Sequence, residues 1–201
     1  MPRNRQNVVP EELCLMLNQI LELLNYLLAN DNYFLKGKEL MNAEPSGTRP
    51  MKRQYSRIER ERRFLLDRLP YQADPANFQR VRDRYIHGTN CRLRWIENPD
   101  GSEKIAKLGQ KLPCSMHSPC ARHREMTTLY MSFAEAKVFA QLPGRDLVKR
   151  RYYLEEQGYT FAIDVFEEPK SIIPLIICEV ECDTDEELEK IQTPAWAVRD
   201  H

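Results

Sequence analysis

The sequence predicts an α+β protein: a long N-terminal helix, then a strand-rich domain closed into a β-barrel of about eight strands with short flanking helices. Three observations predict it. Helical apolar spacing is confined to the first part of the chain, short strand-like segments separated by turns begin near Met51, and those segments carry like-charged pairs spaced i, i+2.

The chain has 201 residues, enough for one core plus an appendage. Lys+Arg and Asp+Glu both total 30, so no net field draws it toward nucleic acid or a membrane surface, and neither partner is expected. Six cysteines without a secretory leader read as reduced thiols of a cytoplasmic protein.

Pro10-Glu11-Glu12 opens the helix, with the proline and acids favourable in a first turn. Leu13, Leu17, Ile20, Leu21, Leu24, Leu27 and Leu28 continue it to about Ala29. Asn18, Glu22 and Asn25 interrupt the apolar run, so it falls short of the roughly 20 apolar residues of a membrane span. The narrow polar stripe requires the rest of its surface to be covered, either by its own domain or by a second copy in a homodimer. Asn42 to Pro50 is linker-like, and the boundary falls there: 1–50 is a helical extension with linker, 51–201 the barrel domain. Within the domain, Ser132-Phe-Ala-Glu135 and Thr184-Asp-Glu-Glu187 are capping boxes that open short helices. Pro143-Gly144 closes the first, and Asp74-Pro75 is expected to start another short helix.

The informative pattern is charge. Glu59 and Glu61 are followed in phase by Arg63, Leu93 separates Arg92 from Arg94, Arg150 separates Lys149 from Arg151, and Val180 separates Glu179 from Glu181. On a strand each pair projects from one face, where like charges repel and a core face would be apolar. Asp164 and Glu125 extend the set. A solvated outer face accounts for any single pair, but less well for all four, and least well for carboxylates inside the apolar run Leu175 to Cys182. A barrel with a polar interior removes the conflict. Bunched carboxylates would bind Mg²⁺ or Mn²⁺, and Arg/Lys rows would bind phosphate oxygens.

These segments resemble, in order, the motifs of CYTH domains, the triphosphate tunnel metalloenzymes that include inorganic triphosphatases, thiamine triphosphatases and one class of adenylyl cyclases. Ile58 to Leu65 resembles the opening Glu-x-Glu-x-Lys strand, Arg92-Leu93-Arg94 the Arg-x-Arg strand, and Lys104 to Lys107 the next basic strand. Val148 to Tyr152 is similar to the Lys-x-Arg strand, Ile163 to Phe166 to Leu-Asp-Val-Phe, and Glu179-Val180-Glu181 with Pro194-Ala-Trp196 to the closing strand and turn. The resemblance spans about residues 54 to 201.

It implies an eight-stranded antiparallel tunnel that hydrolyses a triphosphate. Glu59, Glu61 and Glu181 would be metal ligands, with Glu179, Asp164 and Glu125 as further acidic candidates. Arg63, Arg92, Arg94, Lys107, Lys149 and Arg151 would contact phosphates of a triphosphate-containing small molecule, with Glu59, Glu61, Arg63 and Lys149 acting in catalysis. Two departures stand out. Arg63 replaces the usual lysine, a bulkier fork in place of a compact charge. The sequence also reaches Val198-Arg-Asp-His201 without a counterpart of the family's C-terminal helix. Two other functions compete with hydrolysis: a degenerate module that only binds polyphosphate or nucleotide, and an adenylyl cyclase.

Cys114, His117, Cys120 and His123 are zinc-ligand types, but four ligands within ten residues need a strained wrap. A surface loop without zinc is the expectation.

Overall fold

The computed structural model describes residues 55–114 and 122–200. The N-terminal helix, its homodimer alternative, the linker, and His117 and Cys120 lie outside the described residues.

Nine strands follow in chain order: β1 (Arg57–Leu66), β2 (Gln79–Ile86), β3 (Cys91–Glu97), β4 (Glu103–Pro113), β5 (His123–Met131), β6 (Gly144–Glu156), β7 (Tyr159–Glu168), β8 (Ile176–Cys182) and β9 (Arg199–Asp200). Their order is β5-β4-β3-β2-β6-β7-β8-β1-β9, and β5 also pairs with β1. That last pairing closes β1 to β8 into an antiparallel barrel, with β9 as a short outer addition to β1. Closure leaves no unpaired sheet edge between β1 and β8.

The two capping boxes form as the sequence predicts. Ser132 caps α1 (Phe133–Phe139) and Thr184 caps α2 (Asp185–Lys190), each accepting from the third helical N–H while the glutamate returns the bond. Asp74-Pro75 differs from the expectation. Asp74 Oδ1 accepts from the Ala76 N–H and the Asp74 carbonyl accepts from the Asn77 N–H, so the segment closes one turn and passes directly into β2. The β6–β7 hairpin turns on Gln157 and Gly158, both at positive φ, as a two-residue primed turn requires. Gln157 tolerates this while its side-chain amide bonds both the carbonyl and the N–H of Gln192.

Two apolar clusters cover the outer wall. Phe64, Tyr152, Phe161, Ile163, Cys178 and Val180 pack with Leu188 of α2 and Ile191, and Trp196 stands edge-on to Phe161. Around the barrel, Leu93 and Ala106 pack with Ala136 of α1. A third cluster lies inside. Leu65, Leu147 and Phe166 share the face of the charged pairs, and together with Ile172 and Leu175 they plug one end of the lumen. Among the described residues no helix is long and apolar enough to cross a membrane.

Candidate functional site

Residues facing each other across antiparallel strands lie on one side of the sheet. Glu61 faces Glu181 and Arg63 faces Glu179 between β1 and β8. Arg151 faces Asp164, Asp83 faces Arg94, and Arg94 faces Lys107. Two-residue alternation carries the same side to Glu59, Arg92, Lys111 and Lys149. The helices occupy the other side, so all these charges point into the lumen.

Most of them form two paired groups. In the first, Arg94 donates to both Asp83 oxygens through Nε and Nη2, at 2.6 and 2.7 Å, while Arg92 stands 3.8 Å away. In the second, ion pairs run from Glu61 through Arg63, Glu179, Arg151 and Asp164 to Lys149. Arg151 donates to both Asp164 oxygens at 2.7 and 2.6 Å and to Glu179 at 3.1 Å. At the far side of Glu61, Lys111 Nζ lies against Glu59 Oε2 and 3.0 Å from Glu61 Oε1. Buried charges persist only when so paired, because each has lost its hydration.

The electrostatics differ along the lumen. Burial would raise the Glu179 carboxyl, but Lys149, Arg63 and Arg151 outweigh it and hold it well below the usual range. Asp83 behaves alike, with Arg94 and Arg92 overcoming its burial. Glu181 goes the other way: although its side chain reaches solvent, partial desolvation by the surrounding wall pushes it up, and the Glu59, Glu61 and Glu179 carboxylates add to the push. On the basic side, burial lowers the Lys149 ammonium to about 8, with Arg151 and Arg94 adding to the shift against the pull of Asp164. Burial, Arg94 and Arg92 likewise lower Lys107. The lumen thus has one carboxylate-excess region and one cation-excess region.

Of the acidic residues the sequence singles out, Glu59, Glu61 and Glu181 gather in the carboxylate-excess region. Glu179 and Asp164 are held by guanidinium and ammonium groups. Glu125 corrects the expectation. It faces Ile58 and Leu112, residues in the phase opposite to Glu59 and Lys111, so it projects from the outer side of the wall. Arg124 faces Glu59 and takes the inward place. The basic candidates Arg63, Arg92, Arg94, Lys107, Lys149 and Arg151 all share the lumen.

Sequence reasoning passed over Lys111 and Asp83. The available signal was phase: Lys111 lies four residues beyond Lys107, and Asp83 is the acid within the basic run Arg80 to Arg84. Of the Cys/His cluster, His123 opens β5 instead of lying in a loop, and its Nε2 is 2.6 Å from Asp185 Oδ1.

Among the described residues no three His, Cys, Asp or Glu side chains converge as metal ligands. The donor chemistry of Glu59, Glu61 and Glu181 nevertheless fits a hard divalent cation, which takes carboxylate oxygens. Glu59 Oε2 is buried against the Lys111 ammonium, which puts a positive charge beside these carboxylates.

No family model matches the chain, and no curated protein matches it. Solved structures similar to it include an inorganic triphosphatase, 18% identical over 71% of this chain and 85% of that chain, with a TM-score of 0.45. A proposed adenylate cyclase from Bacillus halodurans is 16% identical over 68% of this chain and 86% of that one, TM-score 0.49. A conserved hypothetical protein from Pyrococcus furiosus is 16% identical over 65% and 82%, TM-score 0.44. The functional reading rests on the lumen itself.

Proposed function

We propose that the protein hydrolyses a triphosphate, inorganic tripolyphosphate or an organic triphosphate, inside the barrel with Mg²⁺ or Mn²⁺ as cofactor. One observation carries the reading: a closed lumen in which a carboxylate group, Glu59, Glu61 and Glu181, borders rows of inward Arg and Lys. A polyanion lying along Arg92, Arg94, Lys107, Lys149 and Arg151 would gain charge-assisted hydrogen bonds in a dry environment where they count most. Arg63 lies between the two regions and would orient the end of the chain nearest the carboxylates. Glu59, Glu61 and Glu181 would hold the divalent ion, which when bound supplies charge neutralisation and a more acidic water. Phosphoryl transfer needs little else than such positioning and charge stabilisation.

A second reading, a polyphosphate or nucleotide binder without turnover, is favoured by one fact: Lys111 sits against two of the three carboxylates. Phosphate release from tripolyphosphate, thiamine triphosphate and nucleoside triphosphates, assayed with Mg²⁺, Mn²⁺ or chelator, tests the pair. Metal-dependent release supports hydrolysis. Calorimetric binding with no release under any condition leaves only the binder, and cyclic nucleotide formed from ATP would assign a cyclase instead.

A further inference from the structure

We propose that Lys111 is a built-in counter-ion of the carboxylate cluster, which a divalent ion has to displace for the tunnel to load. The idea rests on the metal reading above and deepens it. Lys111 reaches across the lumen from β4 to two acids on β1, contacting Glu59 Oε2 and lying 3.0 Å from Glu61 Oε1. Those side chains are 8% and 3% exposed, so their charges depend on a neighbour for neutralisation. Glu181 stands directly opposite Glu61 and adds a third negative group. Lys111 contacts Glu59 and Glu61, while Arg63 contacts Glu61 but is shared with Glu179, so a divalent ion in place of the Lys111 ammonium brings more positive charge to the three carboxylates.

The cations in this network are not equally replaceable. Arg63 is tied to both Glu61 and Glu179, and Arg151 to both Asp164 and Glu179. The Lys149 side chain is 7% exposed, whereas that of Lys111 is 28% exposed. Lys111 therefore combines a compact, rotatable head with a path toward water, and it can leave as a unit. Once displaced it stays in the lumen, in phase with Lys107, where it adds a positive charge to the phosphate path. Metal and triphosphate then favour each other's binding, and by linkage the coupling is reciprocal. The competing account makes Lys111 a permanent support that holds the carboxylates in place for the metal. The two accounts predict opposite signs.

The test uses the full chain and Mn²⁺ as the probe, titrated by electron paramagnetic resonance without substrate. Lys111→Met is expected to bind Mn²⁺ about tenfold more tightly than wild type. Lys107→Met, which removes a lumen charge that contacts neither Glu59 nor Glu61, should show a much smaller gain. Unchanged or weaker Mn²⁺ binding in Lys111→Met, or an equal gain in both variants, overturns the proposal. Since Lys111→Met exposes buried acids to each other and can fail to fold, wild type supplies a second measurement. Reductive methylation read by mass spectrometry should label Lys111 several-fold faster with Mn²⁺ than with chelator, and equal labelling overturns the displacement. Mn²⁺ binding with unmoved Lys111 labelling removes this proposal alone. Absence of Mn²⁺ binding in every protein removes the metal reading and this proposal with it.

Discussion

The inner and outer faces of the barrel wall are built by the same strands yet are held by different forces. On β1, Phe64 and Leu66 point outward into a packed apolar layer, while Glu59, Glu61 and Arg63 point inward into a lattice of ion pairs. Outside, burial of the apolar side chains is favourable, although Arg62 and Glu125 are buried in the same phase. Inside, Glu59, Glu61, Asp83, Arg94, Lys149 and Asp164 have lost most of their water and are compensated by charged partners, so the lumen costs stability in exchange for a field shaped to hold a polyanion and a cation. The contrast locates stability in one phase of the strand and chemistry in the other.

The largest expected effect breaks the outer face. Phe161 is fully buried between Phe64, 6.2 Å away, and the edge of Trp196. Phe161→Ala should cost about 3 to 5 kcal/mol of unfolding free energy by transfer and cavity terms, measured by denaturant titration. A loss below about 1 kcal/mol would mean that the outer layer does not carry the fold. The matching change inside is Glu61→Gln, which keeps volume and removes a negative charge. Metal-dependent phosphate release should fall roughly a hundredfold or more. Folding should change little, because the same substitution relieves repulsion with Glu181 while weakening the contacts to Lys111 and Arg63. Wild-type turnover in Glu61→Gln would show that the carboxylate cluster is not the catalytic region.

How much of this is legible in sequence follows from the same contrast. A strand has period two, so Glu59, Glu61 and Arg63, or Glu179 and Glu181, declare a shared face without any tertiary information. The capping boxes at Ser132 and Thr184 are equally local. Glu125 is misplaced because His123 to Met131 mixes charged, small and apolar residues without a clean alternation, leaving its phase to be set by pairing with β1 and β4. Lys111 is hidden for a related reason. Its partners lie fifty residues away in Glu61 and slightly farther in Glu59, across a closure that only the assembled barrel makes. The Asp74-Pro75 turn carries real helix-start residues, but only one turn's worth of hydrogen bonds fits before β2 begins.

A smaller effect should separate the two regions of the lumen. Arg92→Ala removes one cation from the Asp83 group and leaves the bidentate Arg94 grip in place. Tripolyphosphate affinity, measured by calorimetry with chelator present, should fall by one to two decades, since a charge-assisted contact contributes about 1.5 to 3 kcal/mol. Mn²⁺ affinity in the absence of substrate should not fall. A drop in both would mean that the acidic and basic regions act as a single unit.

The smallest effect is a pH dependence, and its sign follows from Lys149. In the folded protein its ammonium is lowered from 10.5 to about 8, chiefly by burial, then by Arg151 and Arg94. The folded state therefore releases this proton before the unfolded chain does, and the charged form is disfavoured in the fold. The Lys149 contribution to stability is least favourable below pH 8 and improves as pH rises from about 8 toward 10.5, because over that range the unfolded state binds more protons. Ligand binding runs the other way. A triphosphate needs the charged ammonium, so affinity should fall as pH rises through about 8 and the free protein loses that charge. Bound polyanion stabilises the ammonium, so the complex should titrate above the free protein and take up a fraction of a proton on binding near pH 8. Calorimetry in buffers of different ionisation enthalpy measures that uptake directly. Lys149→Met should bind more weakly at pH 7 and lose the component of the pH dependence that wild type shows above pH 8. A variant that keeps the full wild-type pH profile and proton uptake would show that Lys149 belongs to the Asp164 ion pair alone and takes no part in gripping the ligand.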